Sequence, residues 1–456
     1  MVLQSLVALC QPRFTKSLMD LPSPPPTPEP EAPLRQKKWR FDRDASRLFC
    51  EWCEMYRPGG FHPVNLGDKF RDGTYTVIRK LGSGSYSTVW LAVDSSIKRY
   101  VALKIFTAKA SVSETELGII QFLSQKANID NRSQYIITLL DTFIHQGPNG
   151  THRCLVFEPM GPSAESLARQ LPESRQKPFQ TIPRFPKSMA KRIFLHTLHG
   201  LAFLHENGIV HGDIQPGNFL FSLNDITNVE EDELRQDETI PRSFAPLRRR
   251  DGKQDKWSPN NIYLGQPLQQ YTPLGSDMKV KLSDLGSAFW ANNPPTKHSS
   301  PIALRAPELI LGKHIGPPID IWAFGCLVFE FLTGKTLFLV IRDSDSQRDR
   351  NEMDDDHLLQ FNDIIEKLPS TLLNDWPRAN KWFHPVTHHP RKKPRLYRED
   401  KCPYDSLEVM FAQHKPDDID EAESTLICSL IRQILVYAPE ERPSATEILK
   451  HPYFLE

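Results

Sequence analysis

The sequence has few cysteines, no long apolar run and no excess of charge of either sign. Seven cysteines in 456 residues are too sparse, and too odd in number, for a disulfide framework, which indicates a reducing compartment. No apolar stretch approaches the ~18 residues of a membrane helix, and the first ten residues lack the basic region of a signal peptide. Lys plus Arg and Asp plus Glu both number 56, which excludes a nucleic-acid binder held by bulk positive charge. We expect a soluble intracellular protein without direct membrane or nucleic-acid contacts.

Two cysteines, Cys50 and Cys53, form a C-x-x-C pair. A zinc site usually needs a second pair of ligands, and none is near in the sequence. We therefore interpret the pair as incidental rather than metal-binding.

Proline is the residue in excess, with 39 copies where average usage of about 5% would give about 23. Residues 21–33 contain seven of them, and proline removes amide donors and fixes φ, so this stretch cannot join a helix or sheet. It is either an extended linker or a docking peptide. We expect a disordered tail over 1–40, followed by an N-terminal extension over 41–74.

The pattern of residues 75–160 predicts a small lobe built mainly of antiparallel strands with one helix. β-branched and aromatic residues flank a glycine-rich turn at 82–87, which is a hairpin signal, and further short strands are expected at 100–106, 136–142 and 154–158. Helical spacing over 113–123 predicts the single helix.

Residues 161–456 predict a larger helical lobe. Helices are expected at 319–332, which is nearly all apolar and hence buried, and at 358–367, 424–436 and 445–450, after a first helix whose apolar face includes Met189, Ile193, Leu201 and Leu204. Two polar stretches, 222–277 and 376–404, are interpreted as insertions. The charge blocks of the first suggest a disordered regulatory or localising segment.

The first candidate site combines a glycine-rich turn with a charged pair. Gly82 and Gly84 lie between two predicted strands, and Lys104 stands inside an apolar strand, where its charge needs a partner. Glu116, on the apolar side of the next helix, can supply one. A plain structural ion pair would satisfy both charges, but it would not explain the glycine turn.

The second candidate site lies in the helical part. Asp213 and Asn218 are five residues apart on a loop broken by Pro216, and Asp284 ends a short strand before Gly286. An aspartate can accept a hydroxyl proton, and amide and carboxylate oxygens are ligands for Mg²⁺. Taken singly, such residues are usually turn formers.

In order along the chain, these motifs resemble the signature of eukaryotic protein kinases. The order is glycine loop, Lys104, Glu116, the loop from His211 to Asn218, Asp284-Leu285-Gly286 and Ala306-Pro307-Glu308. The resemblance covers about residues 60–456. It implies an α+β, bilobal protein-kinase fold with a β-rich small lobe and a larger helical lobe.

The resemblance also implies the chemistry, which is phosphoryl transfer from ATP with Mg²⁺. Lys104, held by Glu116, would contact the α- and β-phosphates, Asp213 would orient the incoming hydroxyl, and Asn218 and Asp284 would hold the metal. Glu308 would pair with Arg442 in a structural role. The nucleotide would further contact Leu81, Gly82, Ser83, Gly84, Ser85, Val89, Ala102, Glu158 and Met160.

Within the kinases, the closest resemblance is to the SR-protein kinase family, in particular its divergent fungal members. The segment 56–70, the loop ending Ser87-Thr88-Val89-Trp90, Asp284-Leu285-Gly286 and the acidic run 354–356 carry it. The resemblance implies Ser/Thr transfer to Arg-Ser-rich protein substrates by a monomeric cytoplasmic or nuclear enzyme. The acidic run could dock a basic substrate or be a solvated face, and the basic cluster 390–395 could be a nuclear signal or incidental.

Two positions depart from the kinase pattern. Gly212 stands where many kinases have the arginine that reads a phosphate on the activation segment, so we expect an activity that needs no such switch. Gln215 replaces a lysine that helps to neutralise the γ-phosphate, which predicts a slower enzyme.

Two other functions stay open at this stage. Gln215 leaves room for a pseudokinase or scaffold. The His-Gly-Asp loop is also similar to that of aminoglycoside and choline phosphotransferases, although Ala306-Pro307-Glu308 and the segment 320–325 favour a protein substrate.

Overall fold

The structure is a computed structural model of the 456-residue chain. It describes residues 40–42, 50–110, 115–126, 129–171, 184–296, 298, 300–340, 347–384, 386–388, 390 and 404–455. Residues 1–39 of the predicted tail, with its proline-rich stretch, and nearly all of the basic cluster 390–395 therefore lie outside the described residues.

The small lobe is a six-stranded antiparallel sheet in the order β1-β2-β3-β4-β6-β5. Its strands are β1 (Lys69–Phe70), β2 (Tyr75–Ser83), β3 (Ser87–Asp94), β4 (Arg99–Phe106), β5 (Leu139–Gly147) and β6 (Gly150–Phe157). The strand expected at 136–142 was thus placed early, the strand expected at 154–158 covers only the second half of β6, and the sheet already begins at Lys69. The first helix, α1 (Thr115–Lys126), lies close to the predicted span.

The alternation of side chains along β4 decides which residues face the cleft between the lobes. Val101, Leu103 and Ile105 pack into the small lobe's own core. Ala102 and Phe106 join the core that continues into the large lobe, and Lys104 lies between them on the same face. Lys104 pairs with Val89 on one side and Leu155 on the other, so it stands in the middle of the sheet.

The large lobe is helical. Its helices among the described residues are α2 (Ala164–Ala168), α3 (Lys187–Glu206), α4 (Glu231–Leu234), α5 (Pro307–Ile310), α6 (Pro318–Thr333), α7 (Gln347–Ile364), α8 (Ser370–Asp375), α9 (Leu407–His414), α10 (Glu421–Ile434), α11 (Ala445–Ile448) and α12 (Pro452–Leu455). As predicted, α6 is buried along its whole length from Ile319 to Thr333. The helix expected at 358–367 instead begins at Gln347 and includes the acidic run.

Three short strand pairs line the cleft and its surroundings. They are β7 (Ile209–Val210) with β12 (Phe289–Trp290), β8 (Phe219–Phe221) with β11 (Val280–Leu282), and β9 (Phe244–Pro246) with β10 (Asn261–Tyr263). The β8–β11 pair is antiparallel, with Leu282 opposite Phe219. This pair places Asn218, the residue before β8, beside Ser283, the residue after β11, whose amide donates to the carbonyl of Asn218 at 2.9 Å.

The expectation that 222–277 is a disordered segment is wrong. Every residue of the segment is described, and it packs on the small lobe. Ile226, Leu234 and Leu268 form a core cluster with Ile78 of β2 and Leu91 of β3. A second cluster joins Ala245 and Ile262 of the segment to Phe41, Cys53, Tyr56 and Phe61 of the N-terminal extension.

The acidic run in α7 is largely buried rather than exposed. Asp355 accepts hydrogen bonds from Trp376 Nε1 at 2.9 Å, Trp382 Nε1 at 3.3 Å and Arg378 Nε at 2.6 Å. Asp356 accepts one from Gln360 at 2.8 Å. Asp355 and Asp356 are therefore structural, and the docking hypothesis is wrong for these two carboxylates.

Cys50 and Cys53 are both free thiols. Burial raises the pKa of Cys50 to about 12 and that of Cys53 to about 11, so both thiols are protonated at neutral pH. No group of three or more His, Cys, Asp or Glu side chains that could hold a metal occurs in the described ranges.

Within the part of the chain that the structure describes, no helix combines the length and apolar character that crossing a bilayer requires.

Candidate active site

A charged triad joins the two lobes at the back of the cleft. Lys104 Nζ lies 3.0 Å from Glu116 Oε1 and 2.9 Å from Asp284 Oδ1. Burial alone would lower the pKa of Lys104, but the two carboxylates raise it above its usual value. Lys104 in turn holds the pKa of Asp284 below its usual range, and burial raises that of Glu116 although Lys104 opposes the change. Lys104 is therefore protonated at neutral pH and paired with both carboxylates.

Glycine at position 286 makes room for this triad. A Cβ there would lie 3.2 Å from Asp284 Oδ1 and 3.6 Å from Glu116 Oε2. Asp284 itself has φ +57°, the left-handed region, which costs a non-glycine residue about 1–2 kcal/mol. The strained backbone aims the carboxylate at the lysine, and such strain is common at functional sites.

Asp213 lies in the loop after β7, with one carboxylate oxygen held and the other free. Its Oδ2 accepts hydrogen bonds from Gln215 Nε2 at 2.7 Å and from Asn218 Nδ2 at 3.0 Å. Its Oδ1 is buried and has no hydrogen-bond partner. Burial raises the pKa of Asp213, although the two amides oppose the shift. The free Oδ1 is an acceptor that is already desolvated and fixed in orientation.

The first turn of α6 holds the backbone of this loop. Asp320 accepts hydrogen bonds from the amides of His211 at 2.8 Å and Gly212 at 2.9 Å, and contacts His205 Nε2 at 2.9 Å. The ring of His211 reaches the carbonyl of Ser283 at 3.0 Å, which ties the Asp213 loop to the Asp284 strand. Sequence reasoning placed Asp320 only at the start of a buried helix and missed this anchoring.

Gly212 lies at a position where any side chain would be strained. Its φ is +76°, and an added Cβ would lie 2.6 Å from the carbonyl oxygen of Ser287. On its other side, Ser300 Oγ donates to the carbonyl of Gly212 at 2.9 Å, and Arg305 Nε donates to the carbonyl of Ser300 at 3.1 Å. These hydrogen bonds hold Ser300 of the activation segment, 287–306, at this loop. No motif in the sequence points to this role of Ser300.

The glycine-rich turn forms the roof of the cleft. Gly82 and Gly84 have open space where a Cβ would be, and Ser83, Gly84 and Ser85 are exposed. Leu81 and Val89 are partly buried, and Ala102 and Met160 are buried. The turn is thus exposed at its tip, where the Gly84 amide donates to the Ser87 carbonyl at 2.9 Å, and apolar side chains lie at its base.

Glu158, at the connection between the lobes, uses its side chain structurally. Its Oε1 accepts hydrogen bonds from the Thr138 amide at 2.9 Å and from Lys281 Nζ at 2.6 Å. If Glu158 contacts a nucleotide, its backbone groups would therefore make the contact.

The oxygen donors suit a small hard cation. Asp284 and Asn218 supply carboxylate and amide oxygens, and Mg²⁺ is typically bound by one or two such groups together with phosphate oxygens and water. The residues present fit magnesium bound jointly with a nucleotide. When bound, the metal would neutralise charge on the transferring phosphoryl group.

The buried pair predicted in the large lobe is present. Arg442 Nη1 lies 2.8 Å from Glu308 Oε1, and Nη2 lies 3.3 Å from Oε2. Both side chains are almost fully buried, so the pair joins the end of the activation segment to the loop after α10.

Comparison with known proteins agrees with this geometry. The sequence profile of the protein kinase domain matches residues 75–229 and 259–454. A serine/threonine-protein kinase SRPK of Physarum polycephalum is 28% identical over 418 residues, covering 89% of this chain and 91% of that protein. Protein kinase dsk1 of Schizosaccharomyces pombe is 25% identical, covering 89% and 85%. A serine/threonine protein kinase of Aspergillus fumigatus is 27% identical, covering 97% and 98%.

A solved kinase domain is similar in fold, with a TM-score of 0.58 and 22% identity over 86% of this chain and 98% of that one. The fold and the matched profile together define a protein kinase, and the chain belongs to the protein kinase domain family. Within that family it is a serine/threonine kinase whose relatives include the SR-protein kinases.

Proposed function

We propose that this protein transfers the γ-phosphoryl group of ATP, with Mg²⁺, to serine or threonine in Arg-Ser-rich protein substrates. The observation that carries the catalytic part is the free Asp213 Oδ1. It is a buried acceptor with no partner, held by Gln215 and Asn218 in the loop beside the Lys104 triad. A general base must lie within hydrogen-bonding reach of the proton that it accepts, and the free oxygen is available for an incoming hydroxyl.

The remaining site residues then take the roles that the kinase pattern implies. Lys104, fixed by Glu116, would contact the α- and β-phosphates, and Asn218 and Asp284 would hold the metal. The backbone of the exposed glycine-rich turn would cover the phosphates. Leu81, Val89, Ala102 and Met160 would enclose the adenine, with backbone groups near Glu158 as its hydrogen-bond partners. Catalysis would consist mainly of positioning and charge stabilisation.

The substrate class is supported by the relatives, whose names include SRPK and SRSF protein kinase. A monomeric enzyme in the cytoplasm or nucleus is proposed on the same basis. Activity without phosphorylation of the activation segment is supported by Gly212 and Ser300, since the hydrogen bond from Ser300 Oγ to the Gly212 carbonyl links the segment to the loop without a phosphate.

Gln215 supports a second candidate, a pseudokinase. Its amide donates to Asp213 Oδ2 at 2.7 Å and brings no positive charge toward a γ-phosphate. The loss of one cation predicts slower transfer, and loss of transfer altogether would make the protein a scaffold.

One assay distinguishes these functions. The purified chain receives Mg-ATP with an Arg-Ser repeat peptide, a generic basic protein, or aminoglycoside and choline acceptors. We expect transfer to the peptide, abolished by Asp213→Asn and unchanged by Asp405→Asn, a matched control at an exposed carboxylate of the large lobe.

Transfer to a small molecule alone would contradict a protein substrate. No transfer, with no stabilisation of roughly 2–3 kcal/mol by Mg-ATP at a hundredfold excess over Kd, would indicate a scaffold. Activity that begins only after treatment with another kinase would contradict the segment interpretation.

A further inference from the structure

The outer edge of β2 is covered by the 222–277 segment. β1 pairs only with Tyr75 and Thr76, which leaves the rest of that edge without a neighbouring strand. The amide of Gln236 donates to the carbonyl of Ile78 at 2.9 Å, and Gln236 Oε1 accepts from the amide of Lys80 at 2.9 Å. The amide of Gln266 donates to the carbonyl of Lys80 at 2.8 Å. The segment therefore satisfies the backbone of the strand that leads into the glycine-rich turn.

The segment also touches the turn itself, at Gly265. A Cβ on Gly265 would lie 2.8 Å from the carbonyl oxygen of Leu81 and 3.0 Å from Cα of Gly82. Both neighbours are backbone atoms and cannot rotate away. Gly265 does not have a positive φ, so a side chain is excluded only by this contact. The backbone of Gly265 therefore limits how closely the backbone of Leu81 and Gly82 can approach the segment.

A buried lysine, Lys80, also fixes the end of β2 that leads into the glycine-rich turn. Lys80 has no exposed surface, and its Nζ binds Glu51 of the N-terminal extension and the carbonyl of Tyr263 at 2.9 Å. Tyr56 OH donates to the other oxygen of Glu51 at 2.6 Å. A buried ammonium without such partners would be strongly destabilising, so the extension and the segment must both stay in place around β2.

The two ends of the segment are attached next to the proposed metal-binding residues. The amide of Ser222 donates to the carbonyl of Lys279 at 2.9 Å, and that of Asn224 to Tyr271 at 2.8 Å. These contacts continue the β8–β11 pair, whose ends carry Asn218 and lead to Asp284. One continuous segment thus connects the hairpin below the nucleotide site with the turn above it.

We infer that residues 222–277 act as a brace that sets the position of the glycine-rich turn over the nucleotide, with Gly265 and Gln236 as positioning residues. This inference rests on the proposed use of ATP. It gives the segment a role in nucleotide binding, in place of the regulatory or localising role that its composition suggests.

The test compares two glycine variants of the full chain. Gly265→Ala introduces a Cβ against Leu81 and Gly82. Gly275→Ala is the matched control, because Gly275 lies in the same segment with nothing within 4 Å of its Cβ and no positive φ. For Gly265→Ala we expect the KM for ATP to rise roughly tenfold, since small displacements of positioning groups carry costs of this order. The KM for the Arg-Ser peptide should not change, and Gly275→Ala should behave as the wild type.

A second readout does not require activity. Amide hydrogen exchange of residues 81–86 should be faster in Gly265→Ala than in Gly275→Ala, with the exchange of α6 unchanged. Gln236→Met, which removes the acceptor for the Lys80 amide, should produce the same change to a smaller extent and is available if Gly265→Ala does not fold.

The outcomes separate the brace from the proposed function. Unchanged exchange and unchanged KM for ATP in folded Gly265→Ala would overturn the brace. A loss of thermal stability with equal effects on both substrates would also overturn it, because a purely structural role predicts that result. Faster exchange of 81–86 in a chain that transfers no phosphoryl group would support the brace and contradict the proposed function.

Discussion

Replacing Gly212 by alanine tests whether this glycine is required by the geometry of the loop. Two costs are expected. Holding an alanine at φ +76° costs about 1–2 kcal/mol, and a Cβ 2.6 Å from the carbonyl of Ser287 adds an overpacking cost of about 1–3 kcal/mol. The free energy of unfolding should therefore fall by about 2–5 kcal/mol.

Gly208 supplies the matched control for this experiment. Its φ is +72°, but nothing lies within 4 Å of an added Cβ. Gly208→Ala should lose only the conformational part, about 1–2 kcal/mol. Urea unfolding followed by tryptophan fluorescence measures both variants. Equal losses in the two variants would refute the reasoning, because the contact with Ser287 would then have no energetic weight.

The activity of the same variants extends the test. Ser287 follows Asp284 by three residues, so pushing its carbonyl away should displace the carboxylate that Lys104 holds. We expect kcat to fall in Gly212→Ala and to stay near the wild-type value in Gly208→Ala. Gly212→Arg should lose activity as well. A Gly212→Arg variant that folds normally and becomes dependent on an activating kinase would show that the loop can accept the arginine of other kinases.

Gln215→Lys should raise kcat about tenfold, since one added donor at a transferring phosphoryl group stabilises the transition state by roughly 1–2 kcal/mol; an unchanged or lower kcat in steady-state assays would contradict this. Arg442→Ala should lower the free energy of unfolding by about 3–5 kcal/mol because Glu308 is left buried and unpaired, whereas Glu308→Leu with Arg442→Met should recover part of it in urea titrations. Burial, with His152 and His145 nearby, lowers the pKa of His62 from 6.5 to about 2. The free energy of unfolding should therefore decrease by about 1.4 kcal/mol per pH unit as the pH falls below 6.5, because the unfolded chain then binds a proton that the folded chain does not. His62→Phe should reduce that slope.

Contacts that motifs specify locally were predictable from the sequence. Lys104 and Glu116 were paired because an apolar strand and an apolar helix face each carried one charge, and the structure places them 3.0 Å apart. The burial of α6 followed from its nearly continuous apolar composition. In these cases the local sequence shows that a charge needs a partner or that an apolar surface needs to be buried.

Contacts that depend on distant partners were not predictable. Asp355 looked exposed because it lies in a run of three acids, and its partners Trp376, Arg378 and Trp382 come from a segment more than twenty residues later. The charges of 222–277 suggested disorder, but Ile226, Leu234 and Leu268 are spaced irregularly between them and meet only on the surface of β2 and β3. Composition describes a segment alone and contains no information about the surface that receives it.

The buried contact of Lys80 has a consequence for how the chain folds during synthesis. The carbonyl that completes its binding belongs to Tyr263, which follows Lys80 by 183 positions. A nascent chain that has released all six strands of the small lobe still lacks this carbonyl and the apolar cover of Ile78 and Leu91. The small lobe therefore cannot reach its final state in the N-to-C order of synthesis. Its folding is completed only after residues 222–277 have left the ribosome and packed against the small lobe.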